Sequence, residues 1–385
     1  MTMNPLLKVG LLALGPALGL GIARFAYGLL LPPMREDLGW SYSEAGWMNT
    51  INAIGYILGA TTAAVAARRL GAARTYGLGA VVTVLAVLAL GATGDFTALS
   101  VFRLLSGISG AWIFVTGGAI AAAIAADHPD RGAVVVGLFY AGAGFGIALT
   151  GLFVPQWLAL HGAESWRSAW FLLGAAGILF AVAGYAATSP AGLRGRARPA
   201  HAAYQPLVHK WILVGYAAFG AGSIGYMTFM VAYLRDSGRP AWHTSAFWMA
   251  IGLSSMTAPW LWARMLARRR HAHAFAILVG LNALGAAIPL CARSFPAAIL
   301  SAVVFGAVFF TVVAATTDFI RRNVVMESRT TAIGVFTVSF GIGQTLGPFA
   351  IGLVIDATGS LATGLAFGCA LIVAGSALSL LQKDG

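Results

Sequence analysis

Charge is what this 385-residue chain has least of. Aspartate, glutamate, lysine and arginine make up 9% of it, against about 25% in an ordinary soluble domain. With 59% hydrophobic residues and a mean hydropathy of +0.83, that scarcity excludes a soluble globular fold. Acids are the scarcer sign, 12 against 24 basic residues, and none lies near the centre of a long apolar run. Glu44 opens one such run, and Asp318 and Asp356 close two others. Export of cationic drugs commonly needs an embedded carboxylate, so its absence argues against that activity. There are two cysteines, Cys291 and Cys369, far apart in apolar sequence and without metal-ligand spacing, and both are expected to be small core residues. The chain lacks a glycine-rich loop ending in Lys-Ser/Thr, a His/Glu metal pattern and a nucleophile elbow, so neither an ATP motor nor an enzyme is expected, and no cofactor. His128, His161, His201, His209, His243, His271 and His273 all fall in loops or at the ends of apolar runs.

What the chain does have is twelve apolar stretches, each near the roughly 20 residues that cross a hydrocarbon core. They run approximately Leu7–Leu31, Ser43–Ala66, Thr75–Leu90, Ala98–Ala125, Gly132–Leu160, Ser168–Ala187, Trp211–Leu234, Thr244–Leu266, Ala274–Cys291, Ala297–Ile320, Thr330–Asp356 and Leu361–Leu381. An all-α integral membrane protein follows, with residues 1–188 as one six-helix bundle, 189–210 as a basic linker and 211–385 as a second bundle. The 49 glycines suit close helix contact in lipid. Only Lys8 precedes the first span and no small-residue cleavage site follows it, so that span is expected to be a retained helix rather than a signal peptide. With a cytoplasmic N-terminus, seventeen lysines and arginines fall on the cytoplasmic side and five (Arg35, Arg167, Arg235, Arg239, Arg293) on the other, which puts both termini in the cytoplasm. The formal net charge of +12 is spread over short loops at span ends, where it orients helices and meets anionic lipid, so no nucleic-acid partner is expected.

The two halves resemble each other. Gly137-Leu138-Phe139 followed by Gly144-Phe145-Gly146 recurs 197 residues on as Gly334-Val335-Phe336 followed by Gly341-Ile342-Gly343. Ala45-Gly46-Trp47-Met48 recurs as Ala246-Phe247-Trp248-Met249. Parallel six-span repeats related by an axis along the membrane normal are a transporter architecture. Arg103 followed by Gly107 in span four is similar to the fourth-helix motif of the major facilitator superfamily, with Ser106 and Ser109 in place of a glutamine and a second glycine. Arg69-Leu70-Gly71 sits where that family's basic turn lies, but Arg68 takes its acidic position and Ala64 its leading glycine. Span five is glycine-rich without the Gly-Pro pair of the drug/proton antiporters, while Gly347-Pro348 occurs in span eleven. Arg24-Phe25-Ala26-Tyr27, Leu31-Pro32-Pro33-Met34 and Gly46-Trp47-Met48-Asn49 resemble the bacterial YbfB/YjiJ permease subgroup. The resemblance implies the major facilitator fold, twelve helices in two bundles with pseudo-two-fold symmetry, in a bacterial cytoplasmic membrane. It also implies that helices one and four border the central cavity.

Arg24 and Arg103 lie inside spans, where a charge costs about 2.5–3.5 kcal/mol, so each needs a reason to be there. Both fall in the outer half of their spans, at similar depth. A guanidinium suits carboxylate or phosphate and does not easily lose its proton, so the pair would make a site for an anion. For Arg24 the alternatives are substrate contact, snorkelling outward and a pair with Glu44. Arg103 either serves structure and coupling, bonding backbone carbonyls or holding helix one against helix four as the resembled motif suggests, or meets substrate. Tyr27 shares a face with Arg24. Asn49, Asn52 and Tyr56 form a polar stripe on span two that either lines a cavity or glues helices. Tyr140, Tyr226 and Gln344 are further candidates for substrate contact, with Asn282 and Trp112 weaker. For coupling, Glu44, Arg103 and Asp318 are the candidates, and a titratable cargo could itself carry the proton.

The expected function is a secondary transporter moving a small organic anion by alternating access, with protons as the candidate coupling ion and a monomer as the expected form. A proton-coupled exporter of neutral or amphipathic compounds is the alternative. A non-transporting sensor on the same scaffold is a more distant one.

Overall fold

A computed structural model describes residues 3–188, 204–236, 238–262, 265 and 272–382. The linker from Ser189 to 203 with Arg194, Arg196 and Arg198, the expected end of span eight at Leu266, and Arg264, Arg268, Arg269, Arg270 and Lys383 lie outside the described residues. Within them the chain forms twelve long helices and no strand. They are α1 (Pro5–Leu38), α2 (Tyr42–Leu70), α3 (Ala72–Ala92), α4 (Phe96–Asp127), α5 (Gly132–His161), α6 (Trp166–Ala186), α7 (Lys210–Asp236), α8 (Ala241–Leu261), α9 (His273–Cys291), α10 (Phe295–Asn323), α11 (Arg329–Thr358) and α12 (Leu361–Leu380). Eleven are long and apolar enough to cross a membrane. The twelfth, α8, has the length but carries Trp242, His243, Thr244, Ser245, Ser254, Ser255 and Thr257, which dilute its hydropathy.

Helix ends follow from sequence. Asp95 accepts from the Ala98 amide at 2.7 Å and Ser294 from the Ala297 amide at 3.3 Å, N-caps of α4 and α10 that are the same 199 residues apart in both members. Gly39 and Gly359, at φ 67° and 65°, close α1 and α11 in the left-handed conformation. Ser41 and Glu44 form a reciprocal capping box at the start of α2. The amides of Tyr42 and Ser43 donate to the two carboxylate oxygens of Asp356, each at 2.8 Å. The first span is expected to end at Leu31, but the helix continues through Pro32 and Pro33 to Leu38. Proline is tolerated in membrane helices where neighbours satisfy the freed backbone.

By contact the chain divides into two units. The first comprises Met1–Trp40, Ile51–Arg194 and Leu234–Met256. Its core gathers Val9, Leu12, Leu18, Tyr76, Val84, Ile113, Ile120, Val135 and Phe139. Inside this unit α1 runs against α4 and α5 at backbone distance: a Cβ on Gly19 would meet Gly110 Cα at 3.1 Å, and one on Gly146 would meet the Ala17 carbonyl at 2.5 Å. Only glycine permits that approach. Along this contact α1 leaves α-helical geometry, and the nine residues Ala17–Phe25, all buried, form a π-helix.

The second unit comprises Ser41–Thr50, Gly195–Tyr233 and Thr257–Gly385. Its interior is aromatic, with Tyr216 stacked on Phe340 at 4.9 Å, Phe305 on Phe309 at 5.5 Å and Tyr226 on Phe305 at 4.3 Å between ring centroids. Neutral hydrogen bonds tie its helices: Ser223 Oγ donates to Asn282 Oδ1 at 2.7 Å, and Ser301 Oγ donates to the Gly285 carbonyl at 2.6 Å.

Candidate functional site

The first unit brings Arg24, Tyr27, Asn52, Tyr56 and Arg103 together. Arg24 stands in the last turn of the π-helix and is 7% exposed. Its guanidinium carbon lies 5.2 Å from the centre of the Tyr56 ring and 5.6 Å from that of Phe25. A desolvated cation over an aromatic face gains about 2 kcal/mol, which offsets much of the cost of its depth. Tyr56, on α2, reaches Arg24 because it lies one turn beyond Asn52, which anchors α2 to α4.

Arg103 is still more enclosed, at 1% exposed. Its Nη1 donates to the Ala23 carbonyl at 2.6 Å, and its guanidinium carbon lies 4.6 Å over the ring of the fully buried Tyr27. The carbonyl of Arg103 accepts from Asn52 Nδ2 at 3.0 Å and from Ser106 Oγ at 2.9 Å, and Asn52 Nδ2 also donates to Ser106 Oγ. Ser106, in the place where the resembled family has a glutamine, is therefore part of the junction. Arg24 directly follows the carbonyl that Arg103 holds, so two groups of like charge are gathered at one turn of α1, where an anion would be met by both.

The polar stripe on α2 divides. Asn52 is helix glue, and Asn49 donates to Thr228 Oγ1 at 2.6 Å within the second unit. Tyr56 faces the cation. Tyr140 on α5 is 44% exposed and packs on Phe114 and Phe139. Tyr226 is 3% exposed and belongs to the aromatic interior of the second unit. Its hydroxyl lies 2.6 Å from Ser301 Oγ, whose own proton goes to Gly285, so the tyrosine is the donor. Gln344 is buried on α11 of the same unit. Asn282 bridges Ser223 and the Phe305 carbonyl, and Trp112 Nε1 donates to Thr62 Oγ1.

Of the coupling candidates, Glu44 Oε2 accepts from the Ser41 amide at 2.8 Å in the capping box. Asp318 accepts from Arg321 at 2.8 Å and Arg322 at 2.7 Å at the end of α10. The π-helix itself escapes sequence reasoning, since Ala17–Phe25 is as apolar and periodic as an α-helix. The only signal for it is the pair Gly19 and Gly21 beside an embedded arginine.

A family model described as "Uncharacterised MFS-type transporter YbfB" matches residues 16–380. No curated protein matches the chain in sequence. Among solved structures, the fold is similar to a mutant form of the nucleoside transporter NupG (TM-score 0.76, 13% identity, 99% of this chain and 100% of that one). It is also similar to a bacterial homologue of the human lysosomal transporter Spinster, inward-facing and unoccupied (TM-score 0.70, 18% identity, 99% and 96%). At such identities the likeness is one of fold.

Proposed function

From the premise that this chain belongs to the family of uncharacterised MFS-type transporters represented by YbfB, multi-pass membrane proteins that move solutes rather than catalyse reactions, we propose that its cargo is a small organic anion with an aromatic or apolar body. The observation that carries the proposal is the pair of buried guanidinium groups, Arg24 and Arg103, beside the rings of Tyr56, Phe25 and Tyr27. Arg24 is the group that meets the carboxylate. Tyr56 lies against it, and Tyr140, more exposed on α5 of the same unit, is a further lining candidate.

Transport proceeds by alternating access, with the bundles of residues 1–188 and 211–385 as the moving bodies of a monomer. The oxygens of Glu44 and Asp318 already accept hydrogen bonds, so where a proton is moved, the cargo's own carboxyl group carries it. The excess of basic residues in the loops expected inside supports cytoplasmic termini in a bacterial inner membrane.

The test is uptake of a panel of carboxylates into proteoliposomes. Arg24→Ala should abolish transport of the substrate found, and Arg24→Lys should retain part of it. Unchanged transport by Arg24→Ala refutes the site. A substrate set made up of neutral compounds refutes the anion.

A further inference from the structure

The strongest unassigned arrangement is the contact of Arg103 with the backbone of α1. At this contact the π-helix of α1 returns to α bonding. In α1 the Ala26 amide still bonds five residues back, to the Gly21 carbonyl, so the junction falls at residues 22–26. Arg103 delivers its Nη1 to this turn, at the Ala23 carbonyl, and lies on Tyr27, the residue that begins the next turn. Its own backbone is fixed in turn by Asn52 and Ser106. Arg24 is the residue immediately after the carbonyl that Arg103 holds.

We propose that Arg103 is the positioning residue of Arg24: by donating to the Ala23 carbonyl it holds the π turn of α1 and thereby sets the direction in which Arg24 is presented. The anion proposal enters only in what Arg24 faces. A helix that lost the π turn would slip by one residue, and one residue is a rotation of about 100° around the helix axis. The side chain of Arg24 would then leave Tyr56, with a neighbour taking its place. The task needs one donor aimed at one carbonyl, which a lysine supplies and a methionine does not.

Reactivity of single thiols tests this without any cargo. With Cys291 and Cys369 replaced by alanine, cysteines are placed in turn at Ala23, Arg24 and Phe25, and their rates with a small water-soluble thiosulfonate are measured on purified protein in detergent. Thiol reactivity follows exposure. Position 24 should outpace the fully buried position 23, and match position 25, with Arg103 present and with Arg103→Lys. In Arg103→Met the rate at 24 should fall about tenfold while position 23 or 25 becomes fastest. Arg103→Gln, whose amide stops short of Ala23, replaces the methionine variant if that one does not accumulate. An order of reactivity unchanged in Arg103→Met or Arg103→Gln overturns the proposal, and so does an order lost equally in Arg103→Lys. A merely structural arginine would lower apparent thermal stability and leave the order intact. Failure of the anion proposal in the uptake assay would not touch this pattern, so the two are separable.

Discussion

Replacing Gly146 by alanine adds a single methyl group where α5 meets the π-helix of α1. Built on the backbone, that Cβ stands 2.5 Å from the Ala17 carbonyl oxygen, 2.8 Å from Ala17 Cα and 2.9 Å from Gly21 Cα, all main-chain atoms that no rotamer change can move aside. Since real Cβ contacts stay beyond 3.0 Å, the two helices must part by at least 0.5 Å, the difference between 3.0 and 2.5. Overpacking of this kind costs about 1–3 kcal/mol. The methyl also brings better helix propensity, a gain of about 0.5–1 kcal/mol over glycine, so the net effect depends on the clash being real. Two controls isolate that gain: a Cβ at Gly10 or at Gly334 meets nothing within 4 Å. Apparent Tm in one detergent, at fixed protein concentration, is the assay. Gly10→Ala and Gly334→Ala should hold or raise it, and Gly146→Ala should lower it and reduce uptake as well, because the displaced carbonyl begins the π-helix whose last turn carries Arg24. A Tm for Gly146→Ala equal to that of the controls would refute the backbone contact and the account of why this segment is π-helical.

Three further outcomes follow from the hydrogen-bond pattern. Asn52→Leu removes two interhelical bonds while Ser106 still serves the Arg103 carbonyl, so it should cost about 1–2 kcal/mol, read as a lower apparent Tm. Tyr226→Phe deletes the donor to Ser301, whose own bond to Gly285 survives. About 0.6 kcal/mol of stability should be lost, and a changed KM would mean instead that the tyrosine meets cargo. Glu44→Gln keeps an acceptor for the Ser41 amide, so both Tm and proton-dependent uptake should persist; uptake that becomes independent of the proton gradient would make Glu44 the proton carrier.

The helices were readable because a bilayer imposes a single length and a single polarity on every span, and α4 and α9 begin and end within a few residues of where their apolar runs do. Span ends were less so where a local rule competes with burial. Pro32 and Pro33 mark a stop in water, yet α1 runs on to Leu38 inside the first unit. In the site, the embedded charges announced themselves by cost, and Arg24 and Arg103 do share one locality with Tyr27 and Tyr56. What each polar side chain does there was not readable, because helical spacing gives a face and not a partner. Asn49, Asn52 and Tyr56 share a stripe on α2, yet one bonds α7, one bonds α4 and one lies under a guanidinium. The Ser41–Glu44 box, by contrast, is written in the sequence as a Ser-x-x-Glu signature before an apolar run.

The carboxylate of Asp356 that caps α2 is 314 residues downstream of the amide it receives from Tyr42. At about 5–20 residues per second of synthesis, α2 exists for roughly 15–60 s before that cap has been made. Through that interval the first turn of the helix has only its own capping box, and any chain released before residue 356 leaves two amides at the mouth of α2 to be served by water or lipid headgroups. The second transmembrane helix to be made is thus among the last to be finished, and the order of biogenesis in this protein is not the order of its sequence.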